Sequence, residues 1–301
     1  MLPVHNFSYG LLTPGLAYVM SCLGCFLGLR CATRAIAHVG RARAKWLILA
    51  SVSIGVTGIW VMHFIAMLGY TVPGHAIRYN VPVTILSMLI AVAVTAIGLL
   101  IVGFGRDSWR NLLLAGTITG LGVASMHYSG MAAMRMPASM TWGSPLVAAS
   151  VLIAIVAATA ALWAALRLRG VWHTLIAALV MGVAVSGMHY TGMAAMKISA
   201  DSSPASMVMG GATAQNFLLP LIIGISALSF ILTATITLSP TDDEIRAEGV
   251  LLSRISEINA AGPASASGAA RPAGRHGPIT VVSRGQQERQ QARRHSENGQ
   301  L

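Results

Sequence analysis

Residues Gly187–Met196 read GMHYTGMAAM, and two other stretches answer them: SMHYSGMAAM at Ser125–Met134 and WVMHFIAMLGY at Trp60–Tyr70. Each sets a histidine between methionines inside a run otherwise suited to lipid. His63, His127 and His189 stand 64 and 62 residues apart, the length of one membrane span out and one span back. That spacing predicts an internal two-helix repeat in which every second helix carries the motif.

The surroundings fit a polytopic membrane protein. Of 301 residues, 55% are hydrophobic and 10% charged, against roughly 25% charged in soluble domains. A span needs about 20 apolar residues. Seven segments qualify, at about Tyr9–Leu29, Trp46–Leu68, Val81–Phe104, Leu112–Met134, Leu146–Leu166, Trp172–Met196 and Phe217–Leu238. The fold class predicted is all-α, with seven transmembrane helices. No positive charge precedes the first apolar run, so it reads as a span and not as a cleavable signal.

The net charge of +11 follows topology. Arg30, Arg34, Arg41, Arg43, Lys45, Arg106, Arg110, Arg167 and Arg169 fall on one side of the predicted spans, and Arg78, Arg135 and Lys197 on the other. The richer side is cytoplasmic, which puts the N-terminus outside and the C-terminus inside, in the bacterial inner (plasma) membrane. The basic excess therefore gives no reason to expect nucleic acid; the expected partner is membrane lipid. After residues 1–238, residues 239–260 read as an amphipathic cytoplasmic helix. Ser239 or Thr241 is its cap, and Leu251, Ile255 and Ile258 share a face, lying on the inner leaflet or pairing with a second copy. Residues 261–301, rich in Gly, Pro, Ser, Gln and Arg, are expected to be disordered.

In this frame the three histidines lie at one depth, roughly 22–26 Å from the inner edge. His127, Met131 and Met134 share a helix face, as do His189, Met193 and Met196, and His63, Met67 and Tyr70. Met62, Met126 and Met188 point about 100° away. Gly120, Ala124 and Gly130, with Gly182, Ser186 and Gly192, permit close helix approach.

The chemistry is narrowed by an absence: no Asp or Glu lies in any predicted span, and Asp201 alone among the acids falls outside. Proton-coupled transport and magnesium hydrolysis usually need buried carboxylates. Imidazole and thioether are both neutral, so a buried divalent ion would keep its charge in low dielectric. Soft ligands of this kind select Cu(I). The candidate ligands are His63, His127 and His189, then Met67, Met131 and Met193, with Thr57, Ser125 or Ser186 orienting the rings. Haem is the rival cofactor, since His and Met are axial ligands and Arg78, Arg135 and Lys197 are placed to meet propionates or simply to anchor helix ends. Cys22 and Cys25, i and i+3 on the first span, read as packing residues or as a copper relay. His5 and His75 fall outside and His38, His173, His276 and His295 on the cytoplasmic side, without a constellation. No P-loop, dinucleotide fingerprint or nucleophile elbow is present, and the chain is not expected to be an enzyme.

Met62-His63-Phe64, Met126-His127-Tyr128-Ser129 and Met188-His189-Tyr190-Thr191, with the two GMAAM continuations, resemble the bacterial MHYT-domain family from about His5 to Met196. The resemblance implies an integral membrane domain with its motifs near the outer face, and a sensor of oxygen, carbon monoxide or nitric oxide through bound copper. Two departures stand out. Phe64 replaces the tyrosine of the motif, and Ser129 its threonine. Many relatives also carry domains that make or degrade cyclic di-GMP, whereas this chain reads as a stand-alone domain that would report through its tail to a cytoplasmic partner. Copper storage, delivery or transport is the competing function, haem redox chemistry a third. Self-association is left open.

Overall fold

The computed structural model describes residues 3–200, 210–238 and 249–257. Its core is a bundle of helices: α1 (Leu12–Ile36), α2 (Gly40–Val52), α3 (Met62–Leu68), α4 (Val81–Phe104), α5 (Trp109–Ala132), α6 (Ser144–Arg167), α7 (Val171–Ala194) and α8 (Leu219–Leu238). A π-helical segment, Ser53–Val61, joins α2 and α3 into one continuous helix. A second, Ala214–Leu218, leads into α8.

The helices start and stop where their sequences say they should. Asn80 caps α4, accepting a hydrogen bond from the Val83 amide, and Pro82 follows inside the first turn. Ser108 caps α5 in the same way; both bonds satisfy amides that a helix start leaves unpaired. Among the described residues, six helices are long and apolar enough to cross a membrane: Leu12–Ile36, Gly40–Leu68, Val81–Phe104, Ser144–Arg167, Val171–Ala194 and Ala214–Ile236. α5 matches them in length, but Gly, Thr, Ser and His dilute its apolar content. Large apolar side chains such as Leu89, Leu152, Val183 and Phe230 are exposed around the bundle. Such a surface suits lipid, since soluble monomers rarely expose contiguous apolar area of this kind.

Neighbours in sequence pack as neighbours in space: α1 on α2, α2 on α4, α4 on α5, α5 on α6, and α6 on α7. α7 then packs on α1 and closes the ring. α8 lies outside, against α1 and the π-helical segment. The Gly40–Leu68 helix is the most deeply buried, and small residues let it approach α1. A Cβ on Gly24 would strike the backbone of Gly58 and Thr57. Ser21 donates to the Gly58 carbonyl at 2.8 Å and Ser53 to the Gly24 carbonyl at 3.0 Å. Trp60 is tied to α4 through Ser87 Oγ at 3.0 Å.

The fold is not wholly α. The connections at one end form two small antiparallel sheets: β2 (Met134–Arg135), β1 (Arg78–Tyr79) and β5 (Ala212–Thr213) in that order, and β3 (Ala138–Trp142) paired with β4 (Met196–Ala200). This corrects two predicted boundaries. α5 ends at Ala132 and α7 at Ala194, so Met134 and Met196 belong to strands. The second predicted span is also longer, beginning at Gly40 with Arg41, Arg43 and Lys45 inside the helix. These cations stand at the end opposite the sheets, with Arg43 over Phe104 and Arg34 over Trp46. Arg167 pairs there with Asp107 at 2.9 Å.

Asp201, the caps Ser239 and Thr241, Ile258, His276, His295 and the tail from Gly262 lie outside the described residues. Residues 249–257 are helical, with Leu251 and Ile255 exposed.

Packing and surface charge should separate cleanly under mutation. Gly24→Val should cost about 1–3 kcal/mol or more, because the overpacked contact is backbone. Asp107→Ala should change stability by less than about 1 kcal/mol, since both partners are largely solvent-exposed. Unfolding midpoints in one detergent would measure both.

Candidate metal centre

His63, His127 and His189 each lie five residues before the last residue of their helices, Leu68, Ala132 and Ala194. At 1.5 Å per residue that is about 7.5 Å below the sheet end. α3, α5 and α7 touch one another pairwise, and the histidines meet between them. All three helices present their C-termini to this end, where outward-facing carbonyls favour positive charge.

The three imidazoles form a closed cluster. His63 Nδ1 lies 3.0 Å from His189 Nδ1 and 3.2 Å from His127 Nδ1. One ligand nitrogen from each residue fits within 4.8 Å of the others. The ring centroids are 4.9–5.1 Å apart and the planes nearly perpendicular, at 83–90°. The residues are 1%, 0% and 1% exposed. All three Nε2 atoms are buried without a hydrogen-bond partner.

That arrangement is chemically incomplete. A neutral imidazole carries one N–H and one lone pair. If the protons sit on Nε2, three lone pairs converge and three N–H groups are orphaned. If any sits on Nδ1, it has two nitrogens to serve, and the other lone pairs still face each other. Buried polar groups are normally satisfied, and a cation among the Nδ1 atoms satisfies the converging lone pairs at once. The fit is close. Imidazole nitrogen lies about 2.0–2.1 Å from a bound first-row ion, so three such nitrogens stand about 3.3–3.6 Å apart, a few tenths of an ångström wider than here.

The rings are held from behind. A Cβ on Gly130 would stand 2.6 Å from His63 Nε2, and one on Gly192 would strike His127 Nε2. Each glycine lies three residues after the histidine of its own helix and makes room for the histidine of another. Read as aids to helix approach, they serve the imidazoles themselves. A small residue at His+3 in each motif, Ala66 in the first, is the sequence signal. The residue after each histidine packs edge-on to it: Phe64 at 4.7 Å, Tyr128 and Tyr190 at 4.9 Å. A ring suffices for that contact, which explains why Phe64 can stand where the other motifs have tyrosine. Only then do the hydroxyls differ. Tyr128 bonds Ser150 at 2.6 Å, and Tyr190 is unpartnered.

The methionines are less decisive. Met67, Met131 and Met193 are buried, but so are Met62, Met126 and Met188, because both faces of these helices are enclosed. Tyr70, predicted to complete the first face, lies beyond the end of α3. The expected orienting hydroxyls are elsewhere: Thr57 bonds Ser229, Ser125 turns back to the Leu121 carbonyl, and the Ser186 Oγ is buried without a partner. The imidazoles instead orient one another. Arg78, Arg135 and Lys197 sit in β1, β2 and β4, with Arg78 opposite Arg135 across the ladder. Cys22 and Cys25 are free, Cys25 packed against Gly58 and Cys22 against Gly182. His5 pairs through its backbone with Thr71, His75 bonds the Pro73 carbonyl, His38 bonds the Arg34 carbonyl, and His173 stands at the start of α7. None of these four joins the cluster.

Gly130→Ala should therefore destabilise the protein by about 1–3 kcal/mol by driving a methyl into His63. Gly187→Ala, where a Cβ meets nothing within 4 Å, should be neutral or stabilising by up to about 1 kcal/mol. Chemical unfolding of the two variants side by side would measure the difference.

The family described as the MHYT bacterial signalling protein N-terminal repeat matches twice, at residues 57–115 and 120–178. These ranges hold His63 and His127, while His189 lies beyond them. The bifunctional diguanylate cyclase/cyclic di-GMP phosphodiesterase MucR of Pseudomonas aeruginosa is 38% identical over 200 residues, 65% of this chain and 29% of that protein. The cyclic di-GMP phosphodiesterase NbdA of the same organism is 39% identical over 202 residues, 65% of this chain and 25% of its own length. The signaling protein YkoW of Bacillus subtilis is 28% identical over 202 residues, 63% of this chain and 24% of its own. The chain thus spans under a third of the length of these relatives. No solved structure matches it. On these matches, residues 57–178 of the chain carry two repeats of the MHYT family, and the chain is similar to the N-terminal part of bacterial signalling proteins.

Proposed function

We propose that this chain is a sensor of the bacterial cytoplasmic membrane that holds copper, as Cu(I), between His63, His127 and His189. The observation that carries the reading is the approach of three buried imidazole Nδ1 atoms, at 3.0 and 3.2 Å. No carboxylate lies in the surrounding helices, so the site offers neutral donors that suit a soft monovalent ion. The same close approach favours a single ion over haem, because no gap is left between the rings for a macrocycle. Met67, Met131 and Met193, one turn beyond the histidines on the same helix faces, would complete the soft surroundings.

The topology follows from the charges. α5 serves as a seventh span, α3, α5 and α7 are equivalent members of a two-helix repeat, and the arginine-rich end is cytoplasmic. The N-terminus is then outside and the histidine cluster near the outer face. Bound Cu(I) would supply a soft, redox-active centre able to take oxygen, carbon monoxide or nitric oxide. The protein's part is to keep the rings neutral, dry and aligned, with Gly130 and Gly192 admitting them to close range. A change in ring spacing is felt by three helices together, and the chain beyond Leu238 would pass it to a cytoplasmic signalling partner. No catalytic step is assigned to the domain.

Elemental analysis of protein purified without an affinity histidine tag tests the metal. About one copper per chain is expected, falling to background in the His63→Ala/His127→Ala/His189→Ala variant; equal copper in both would end the reading. Infrared spectra of the reduced protein under carbon monoxide test the gas. A C–O stretch present in the wild type and absent from the triple variant is expected, and no band in copper-loaded wild type would remove gas binding.

A further inference from the structure

A groove of about 190 Å³ lies at the arginine-rich end of the bundle, where α4 ends, α5 begins and α6 ends. Its floor is apolar: Val102 and Leu112 line it and are buried. Its outer side is of another kind. Trp109 and Trp163 line it and are exposed, and so are Arg106 and Ser108.

The turn that carries Arg106 is fixed on both sides. The Gly105 amide donates to the Ile101 carbonyl at 2.8 Å and closes α4. Asn111 then holds the turn twice, its amide donating to Ser108 Oγ at 3.3 Å and its side-chain Nδ2 to the Arg106 carbonyl at 2.9 Å. A Cβ on Gly105 would strike the Ile101 carbonyl oxygen and stand 3.2 Å from Asn111 Nδ2, so the turn is built around a glycine.

Charge in the groove is out of balance. Asp107 is the one acid among the described residues between 3 and 238, and Arg167 donates to both of its carboxylate oxygens at 2.9 Å. That pair cancels, and the net charge of the lining is the charge of Arg106, which has no second acid to meet among these residues. Ser108 Oγ accepts from Asn111 and keeps its O–H to give.

The lining defines the ligand. Tryptophan settles at the level of lipid headgroups, so the two indoles set the groove at the membrane surface, with the cation and the hydroxyl beside them and the apolar floor beneath. A soluble anion would use Arg106 but not Val102, Leu112 or the indoles. A zwitterionic lipid brings its own cation to a site that already has one. We propose that the groove holds the headgroup of an anionic phospholipid, its phosphate accepting from the Arg106 guanidinium and the Ser108 hydroxyl, with the start of an acyl chain over Leu112 beside Trp163. Basic pockets between membrane helices are a natural setting for such headgroups.

The full chain in a neutral detergent provides the test, by native mass spectrometry with phosphatidylglycerol and with phosphatidylcholine of the same chain length. Tighter binding of the first phosphatidylglycerol is expected, by about fivefold. Arg106→Gln should remove that preference. Arg169→Gln takes the same charge from the same end but outside the groove, and should leave it unchanged. Both positions are exposed, and unfolding midpoints equal to the wild type would confirm that each variant keeps its fold. Inorganic phosphate at equal concentration should not displace the lipid from the wild type. Equal affinity for the two lipids, equal loss in both variants, or displacement by inorganic phosphate would each overturn the assignment. Copper content plays no part in the readout, so the result stands apart from that of the metal.

Discussion

Three uncharged imidazoles share a space in which no carboxylate can balance a proton or a hard cation. That constraint organises the molecule. A charged histidine would lie unpaired in low dielectric at high cost, so the cluster is confined to neutral rings and to what neutral rings can hold. Everything around it serves the approach: helices that end at a common level, glycines where Cβ atoms would collide, and an aromatic ring beside each imidazole. The cluster also ties together helices that are not sequence neighbours. The outer ring is held by contacts between successive helices, whereas α3, α5 and α7 meet across it.

Much of this is legible in the sequence. Hydropathy gave the helices, because lipid leaves the backbone few ways to satisfy itself. The 64- and 62-residue spacing gave a common depth for His63, His127 and His189. What stayed hidden depended on contacts distant in sequence. Strands as short as Arg78–Tyr79 and Met134–Arg135 carry no periodicity, and their pairing is set by where the helices end. The methionine faces were overdrawn at Met134, Met196 and Tyr70, since a helical repeat projects only as far as the helix runs. Thr57, Ser125 and Ser186 were plausible orienting groups by proximity along the chain; their actual partners are a serine on α8, a carbonyl one turn back, and none.

The same limit applies to the cavity that Thr13, Met67, Tyr70 and Leu219 help to line at the sheet end. Tyr70 and Thr13 are 57 residues apart in sequence, and nothing local links them. They meet because the N-terminal segment folds back over α3 through His5, Ser8 and Thr71. The result is two neighbouring compartments of opposite character. One is packed, ring-lined and closed; the other is roomier. Met67 belongs to the wall of the second and to the helix of the first.

The π-helical segment Ser53–Val61 is where the helix bearing His63 stops being wound like its counterparts. Such a segment accommodates surplus chain within a helix, and each residue of surplus is worth about 100° of rotation. The part of that helix anchored by Arg43 and the part that delivers His63 therefore need not keep the same azimuth. An intramembrane helix with slack of this kind can settle its two ends against different neighbours, with the adjustment absorbed beside Gly24 and Gly58, where two backbones already lie close together.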